Sequence, residues 1–156
     1  MTNFISNVDT VIEFFLSKEP MSPKKLQKLL YYAYSWTLTL LNDSKDDLST
    51  RLFNEQFEAW IHGPVIPSVY FKYRDYGWTE IPKQESFNGN FPPEVLDVLE
   101  QVWTVYGGLT GNRLEVICHR EQPWIKARNG IPAFEASSTV IADNDIFEYY
   151  NEQASK

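Results

Sequence analysis

The chain has 156 residues and a formal charge of −7, from 14 Lys and Arg against 21 Asp and Glu. That is the length of one domain, 1–156, and the balance argues against nucleic acid as a partner, because binding phosphates needs a cationic footprint. A hydrophobic share of 43% suffices for a proper core, and the one cysteine, Cys118, rules out an internal disulfide and fits a reducing cytoplasm.

The N-terminal stretch lacks the basic start and cleavage site of a signal peptide. Its apolar runs break well short of a membrane span, so a soluble cytoplasmic protein is expected. Aromatic residues make up 15% of the chain. Tyrosine and tryptophan join a large apolar area to a polar tip, which suits interfaces as well as cores.

A first helix is predicted over Asn7 to Ser17, where Val8, Val11, Ile12, Phe15 and Leu16 share one face. Glu19-Pro20 ends it. Ser22 and Pro23 then cap and open the strongest helix, with Leu26, Leu29, Leu30, Ala33, Thr37, Leu40 and Leu41 at helical spacing. A second line, Lys28, Tyr32 and Trp36, runs beside it at i+4 intervals. A helix apolar over so much of its circumference is expected to be central. Asn42 to Thr50 reads as a solvated loop.

Within Phe53 to Ile61, the alternation of Phe57, Ala59 and Ile61 with Glu58, Trp60 and His62 predicts a short strand. Gly63 permits unusual backbone angles and Pro64 excludes helical ones before it, which places a turn at His62-Gly63-Pro64. A helix follows over Pro67 to Tyr76, stopped by Gly77, and Thr79 to Ile81 reads as a second short strand. Pro92-Pro93 opens a helix carrying Val95, Leu99, Val102 and Tyr106. Thr110 caps another, with Leu114, Ile117 and Cys118 inward. Trp124 to Arg128 is a brief helical turn closed by Asn129-Gly130. Val140-Ile141 reads as extended, and Asp143 or Asn144 caps a last helix. The whole is expected to be mainly α, a single compact multi-helix domain with at most a small two- or three-strand β element.

For chemistry the residues offer little. No HxxxH or CxxC spacing supports a metal, and no phosphate loop or nucleophile elbow is present, so neither catalysis nor a cofactor is expected. A Cys118–His62 nucleophile pair is outweighed by the place of Cys118 on the apolar stripe of its helix. Lys28, Tyr32, Trp36, Trp60, His62, Tyr70, His119 and Trp124 are the polar-tipped residues of interest. They either line a pocket or binding face or, the favoured expectation, pack the core through buried hydrogen bonds.

These same stretches resemble a known family. Leu26-Gln27-Lys28-Leu29-Leu30-Tyr31-Tyr32-Ala33 is similar to the second-helix signature of the Panacea domain, also called SocA-like or phage-associated GepA-type. Phe53 with Glu58-Ala59-Trp60-Ile61-His62-Gly63-Pro64-Val65 resembles its most distinctive motif, followed by Pro67 and Tyr70. His119-Arg120-Glu121-Gln122-Pro123-Trp124, with Ala127-Arg128, resembles its His-x-x-x-Pro-Trp segment. Cys118 departs from the small hydroxylated residue expected before that histidine.

The resemblance implies an antitoxin of a bacterial or prophage toxin–antitoxin system that neutralises a cognate protein toxin by binding it. A role as adaptor delivering the toxin to a bacterial protease is the alternative. Exposed aromatics, Tyr149 or Tyr150 among them, are the expected anchors, with the Gly63-Pro64 motif setting the fold. Two rival readings stay open: a ligand-binding or enzymatic pocket where His62 and His119 approach beside Lys28 or Tyr32, and a homo-oligomer formed through an aromatic face.

Overall fold

Ser22 and Pro23 start the helix against which the other elements are laid. The Ser22 hydroxyl accepts from the Lys25 amide at 3.2 Å, and Pro23 occupies the first turn, where its missing N–H is not needed. In the computed structural model, which describes residues 3–156, this helix, α2, spans Pro23–Leu40. Fourteen of its 18 residues are buried, which makes it a core helix rather than an amphipathic surface one.

Ahead of α2 lie β1 (Asn3–Phe4) and α1 (Val8–Leu16). After it come β2 (Thr50–Arg51), β3 (Glu58–Trp60), β4 (Gly63–Val65), α3 (Pro67–Tyr73) and a 3-10 turn (Arg74–Tyr76). The rest is α4 (Pro93–Tyr106), α5 (Gly111–Cys118), α6 (Gln122–Arg128) and α7 (Asp143–Ala154). Helix α2 touches α1, α3, α4, α5 and α7 as well as β2 and β4, and one connected apolar core joins them. The protein is mainly α, as expected, with two small two-stranded sheets among the described residues. No helix of the described residues is long and apolar enough to cross a membrane.

Several local expectations are corrected. The loop after α2 ends in a parallel pairing of β2 with β1, Asn3 beside Thr50 and Phe4 beside Arg51. Asn42 holds that loop shut: its side-chain amide donates to Thr50 O at 2.7 Å and accepts from Thr50 N at 3.1 Å. The predicted strand over Phe53 to Ile61 shrinks to β3. The turn falls at Ile61-His62, so Gly63-Pro64-Val65 is extended and pairs antiparallel with β3. Thr79 to Ile81 forms no strand; Ile81 alone bridges Met21.

Helix α7 begins one residue earlier than the predicted caps, with Ala142 in the cap position and no side-chain cap. Asp143 instead accepts from Tyr34 Oη at 2.9 Å and pairs with Arg51 Nε at 3.1 Å, so it ties α7 to α2 and β2. Segment 139–141 is extended as expected and covers the outer edge of β3, through Ala59 N to Thr139 O at 2.9 Å and Ile141 N to Phe57 O at 2.8 Å.

Candidate functional site

The hairpin β3–β4 sits on α2 through two adjacent polar side chains. Gly63 has φ of +105°, and a Cβ there would stand 2.8 Å from Lys28 Cε and 3.3 Å from Lys28 Nζ. Glycine is therefore required both for its backbone angle and for the lysine that runs beneath it. Lys28 is 1% exposed, and its ammonium donates to Pro64 O at 3.1 Å. Burial lowers its pKa to about 8, against smaller raising effects of Cys118 and Glu115. Beside it, buried Gln27 accepts from Ile66 N at 2.9 Å and donates to Ile66 O at 3.0 Å, satisfying both backbone groups where β4 passes into α3.

Between α2, the hairpin and α3 opens a cleft of about 680 Å³. Lys24, Gln27 and Lys28 come from α2, Trp60, His62 and Val65 from the hairpin and its turn, Val69, Tyr70 and Tyr73 from α3. Residues 136–138 close one side. Trp60 and Tyr70 meet edge to face, 5.0 Å between ring centres, an arrangement the aromatic quadrupole favours. The chain beside these lining residues carries exposed aromatics: Phe71 at 59%, Trp78 at 90% and Phe134 at 80%.

Behind the hairpin, the His-x-x-x-Pro-Trp segment acts as a clamp on three successive carbonyls. Arg128 Nη1 donates to Ala59 O at 2.9 Å, Trp124 Nε1 to Trp60 O at 2.8 Å, and His119 Nε2 to Ile61 O at 2.8 Å. The other end of the Arg128 guanidinium donates to Pro132 O and Glu135 O, fixing the loop after α6. His119 stacks on Trp124 at 4.2 Å, and Arg128 lies over the same indole at 4.9 Å. Burial lowers the His119 pKa, and the bond to Ile61 O places its proton on Nε2.

Glu115 on α5 gathers the remaining charges. Its carboxylate meets Lys24 Nζ at 2.7 Å and His62 Nδ1 at 3.0 Å, with His119 Nε2 at 4.0 Å. Burial raises its pKa, and the Lys24 and His62 hydrogen bonds outweigh that, leaving it lowered. The two imidazoles thus converge on one carboxylate near Lys28. Only His62 lines the cleft, while His119 faces the hairpin backbone.

The line Lys28–Tyr32–Trp36 does not form one site. Tyr32 Oη donates to Glu121 Oε1 at 2.9 Å, lies 3.3 Å from Cys118 Sγ and stacks on Tyr106 at 4.0 Å. Trp36 Nε1 donates to Tyr106 Oη at 3.2 Å. Lys28 alone of the three reaches the cleft. Cys118 is 1% exposed and burial pushes its thiol up to about 12, which disfavours the thiolate, and its partner is Tyr32 rather than His62. Tyr150 is buried and Tyr149 half-buried, so neither is an exposed anchor. Among the described residues no group of three or more His, Cys, Asp or Glu is placed to hold a metal.

Four residues with structural roles here escape a reading by residue type: Gln27, Glu115, Glu121 and Arg128. Gln27, Glu121 and Arg128 fall inside the motif stretches, but nothing in their spacing marks a backbone clamp or a shared carboxylate. Glu115 and Glu121 look like ordinary surface carboxylates.

The three motif stretches are thus one assembly, a helix below and a clamp behind a single Gly-Pro hairpin. The family model described as antitoxin SocA-like, Panacea domain, matches residues 26–125, from α2 to the middle of α6. The chain belongs to this family. The Panacea chain is also 32% identical over 123 residues to Antitoxin SocA of Caulobacter vibrioides (strain NA1000 / CB15N), a match covering 71% of this chain and 62% of that protein. No solved structure matches it.

Proposed function

We propose that this Panacea chain is an antitoxin acting in the cytoplasm, which neutralises a cognate protein toxin by binding it rather than by chemistry. The observation that carries the reading is the cleft at the Gly-Pro hairpin with exposed Phe71, Trp78 and Phe134 beside it in the chain. Apolar surface of this kind marks protein interaction sites, and aromatic anchors dominate their energetics. The likeness to a protein named as an antitoxin supports the same role. Catalysis gains no support from the two histidines, since the His119 Nε2 proton is held by Ile61 O and Cys118 is a buried thiol.

The test is co-expression with the product of the neighbouring gene, reading growth and co-purification together. Rescue with a stable complex is expected, and Tyr70→Ala, outside the core cluster, is expected to weaken the complex at least about tenfold with unchanged circular dichroism. Rescue without a complex, with the neighbour's level falling, would replace direct neutralisation by delivery to a protease. Neither rescue nor complex would overturn the antitoxin reading.

A further inference from the structure

The cleft has the opposite electrical sign to the molecule that carries it. The chain bears −7, yet the charged residues lining the cleft are Lys24, Lys28 and Arg74, joined by His62, with no Asp or Glu. Two carboxylates touch this lining, and both are engaged: Glu58 accepts from Trp60 Nε1 at 2.8 Å, and Glu115 holds Lys24 and His62. Among the described residues no carboxylate pairs with Lys28 or Arg74. Lys28 is 1% exposed and has three donors, of which Pro64 O accepts one. A buried ammonium left so thinly partnered is unfavourable for folding alone and suits a site that receives an anion.

The apolar part of the lining limits what that anion is attached to. Val65, Val69 and the Trp60–Tyr70 pair present hydrocarbon and ring surface beside the cations. Phe71, 59% exposed, has its ring 5.5 Å from that of lining Tyr70 and carries aromatic surface past the cleft, which a small molecule seated inside would leave uncovered.

We propose that the cleft receives an acidic segment of the partner protein, in which a large apolar side chain lies within two residues of a carboxylate. The apolar group seats against Trp60, Val69 and Tyr70, and the carboxylate meets Arg74 and the free donors of Lys28. This rests on the antitoxin reading for the partner being a protein. Charges are screened beyond about 8 Å at physiological ionic strength, so the cleft acts only at contact. The acidic exterior and the cationic cleft therefore select different features: a basic partner surface on approach and an acidic apolar segment on docking.

The experiment is selection of a random-peptide display library on the immobilised full chain, followed by binding of the selected peptides to Arg74→Glu, a change at an exposed position. Enriched peptides are expected to place Asp or Glu within two residues of Trp, Phe or Leu, and to bind the variant at least about tenfold more weakly. Enrichment of basic or uncharged peptides, binding indifferent to Arg74→Glu, or no enrichment over bare support would overturn the proposal. So would saturable binding of indole-3-acetate with no peptide selected, which marks a small-molecule site. If peptides behave as expected while the neighbouring gene's product neither binds nor is neutralised, the antitoxin reading falls and the cleft chemistry stands. If that product binds wild type and Arg74→Glu alike, the cleft proposal falls and the antitoxin reading stands.

Discussion

At the scale of the residue, Lys28 carries the sharpest tension between stability and site. A shift of its pKa from 10.5 to about 8 corresponds to a penalty on the charged form of about 3 kcal/mol at neutral pH. One hydrogen bond to Pro64 O offsets only part of such a cost. Replacement by an apolar residue of similar shape, Lys28→Met, is therefore expected to raise stability at pH 7 by roughly 1–3 kcal/mol in urea unfolding. The pH dependence supplies a second check. Between about 8 and 10.5 the unfolded chain holds the lysine proton and the folded one does not, so this group's contribution to stability rises with pH. Buried tyrosines with raised pKa values act in the opposite direction near the top of this range, so the informative quantity is the difference between wild type and variant. That difference should shrink steadily from pH 8 to 10.5. A variant less stable at pH 7 would make Lys28 a structural strut.

At the scale of the element, the hairpin and the start of α3 depend on side chains more than on ladder bonds. Ile66 is 1% exposed, and Gln27 satisfies both its N–H and its C=O. Gln27→Ala is expected to cost roughly 1–3 kcal/mol, the desolvation penalty of the Ile66 N–H left unpaired, because the Ile66 C=O still accepts from the Val69 and Tyr70 amides. Chemical denaturation measures the loss, and faster hydrogen exchange at the Ile66 amide locates it. The helices on either side were legible because their signals are local: Ser22-Pro23, Thr110, Gly107 and the leucine spacing of α2 each act within a turn or two. The short strands were not. Gly63 is marked as special by its residue type, but its place in β4, packed over Lys28 from 35 positions away in sequence, is not a local signal. The α7 cap failed for a like reason, because Asp143 finds stronger partners in Tyr34 and Arg51 than in its own helix. Of the candidate residues, Lys28, Trp60, His62 and Tyr70 meet at the cleft, whereas Tyr32 and Trp36 share only a spacing with Lys28. An i+4 line on a helix buried all round points into several environments, and nothing in the line says which.

At the scale of the whole molecule, Glu121 closes the fold. From the N-terminal edge of α6 its carboxylate accepts from Tyr32 Oη on α2 at 2.9 Å and from Tyr150 Oη on α7 at 2.7 Å. Helices far apart in sequence thus meet on one half-buried carboxylate oxygen, with Tyr31, Tyr32, Trp36 and Tyr149 packed against the Tyr150 ring. Burial raises the Glu121 pKa and the two hydroxyls pull it back only in part. A carboxyl with a raised folded-state pKa favours folding below its unfolded value, and that contribution is lost as pH rises through the folded value. Tyr150→Phe removes one of the two donors while keeping the ring. At neutral pH it leaves the carboxylate with less compensation, and the expected loss is about 1.5–3 kcal/mol, the range for a hydrogen bond to a charged group. Losing that donor also raises the carboxyl further, so acid relieves the variant more than wild type. Urea unfolding at pH 7 and again near pH 5 should show the deficit narrowing at the lower pH. No deficit at either pH would place the role of Tyr150 in its ring packing, and a deficit independent of pH would separate its hydroxyl from the charge of Glu121.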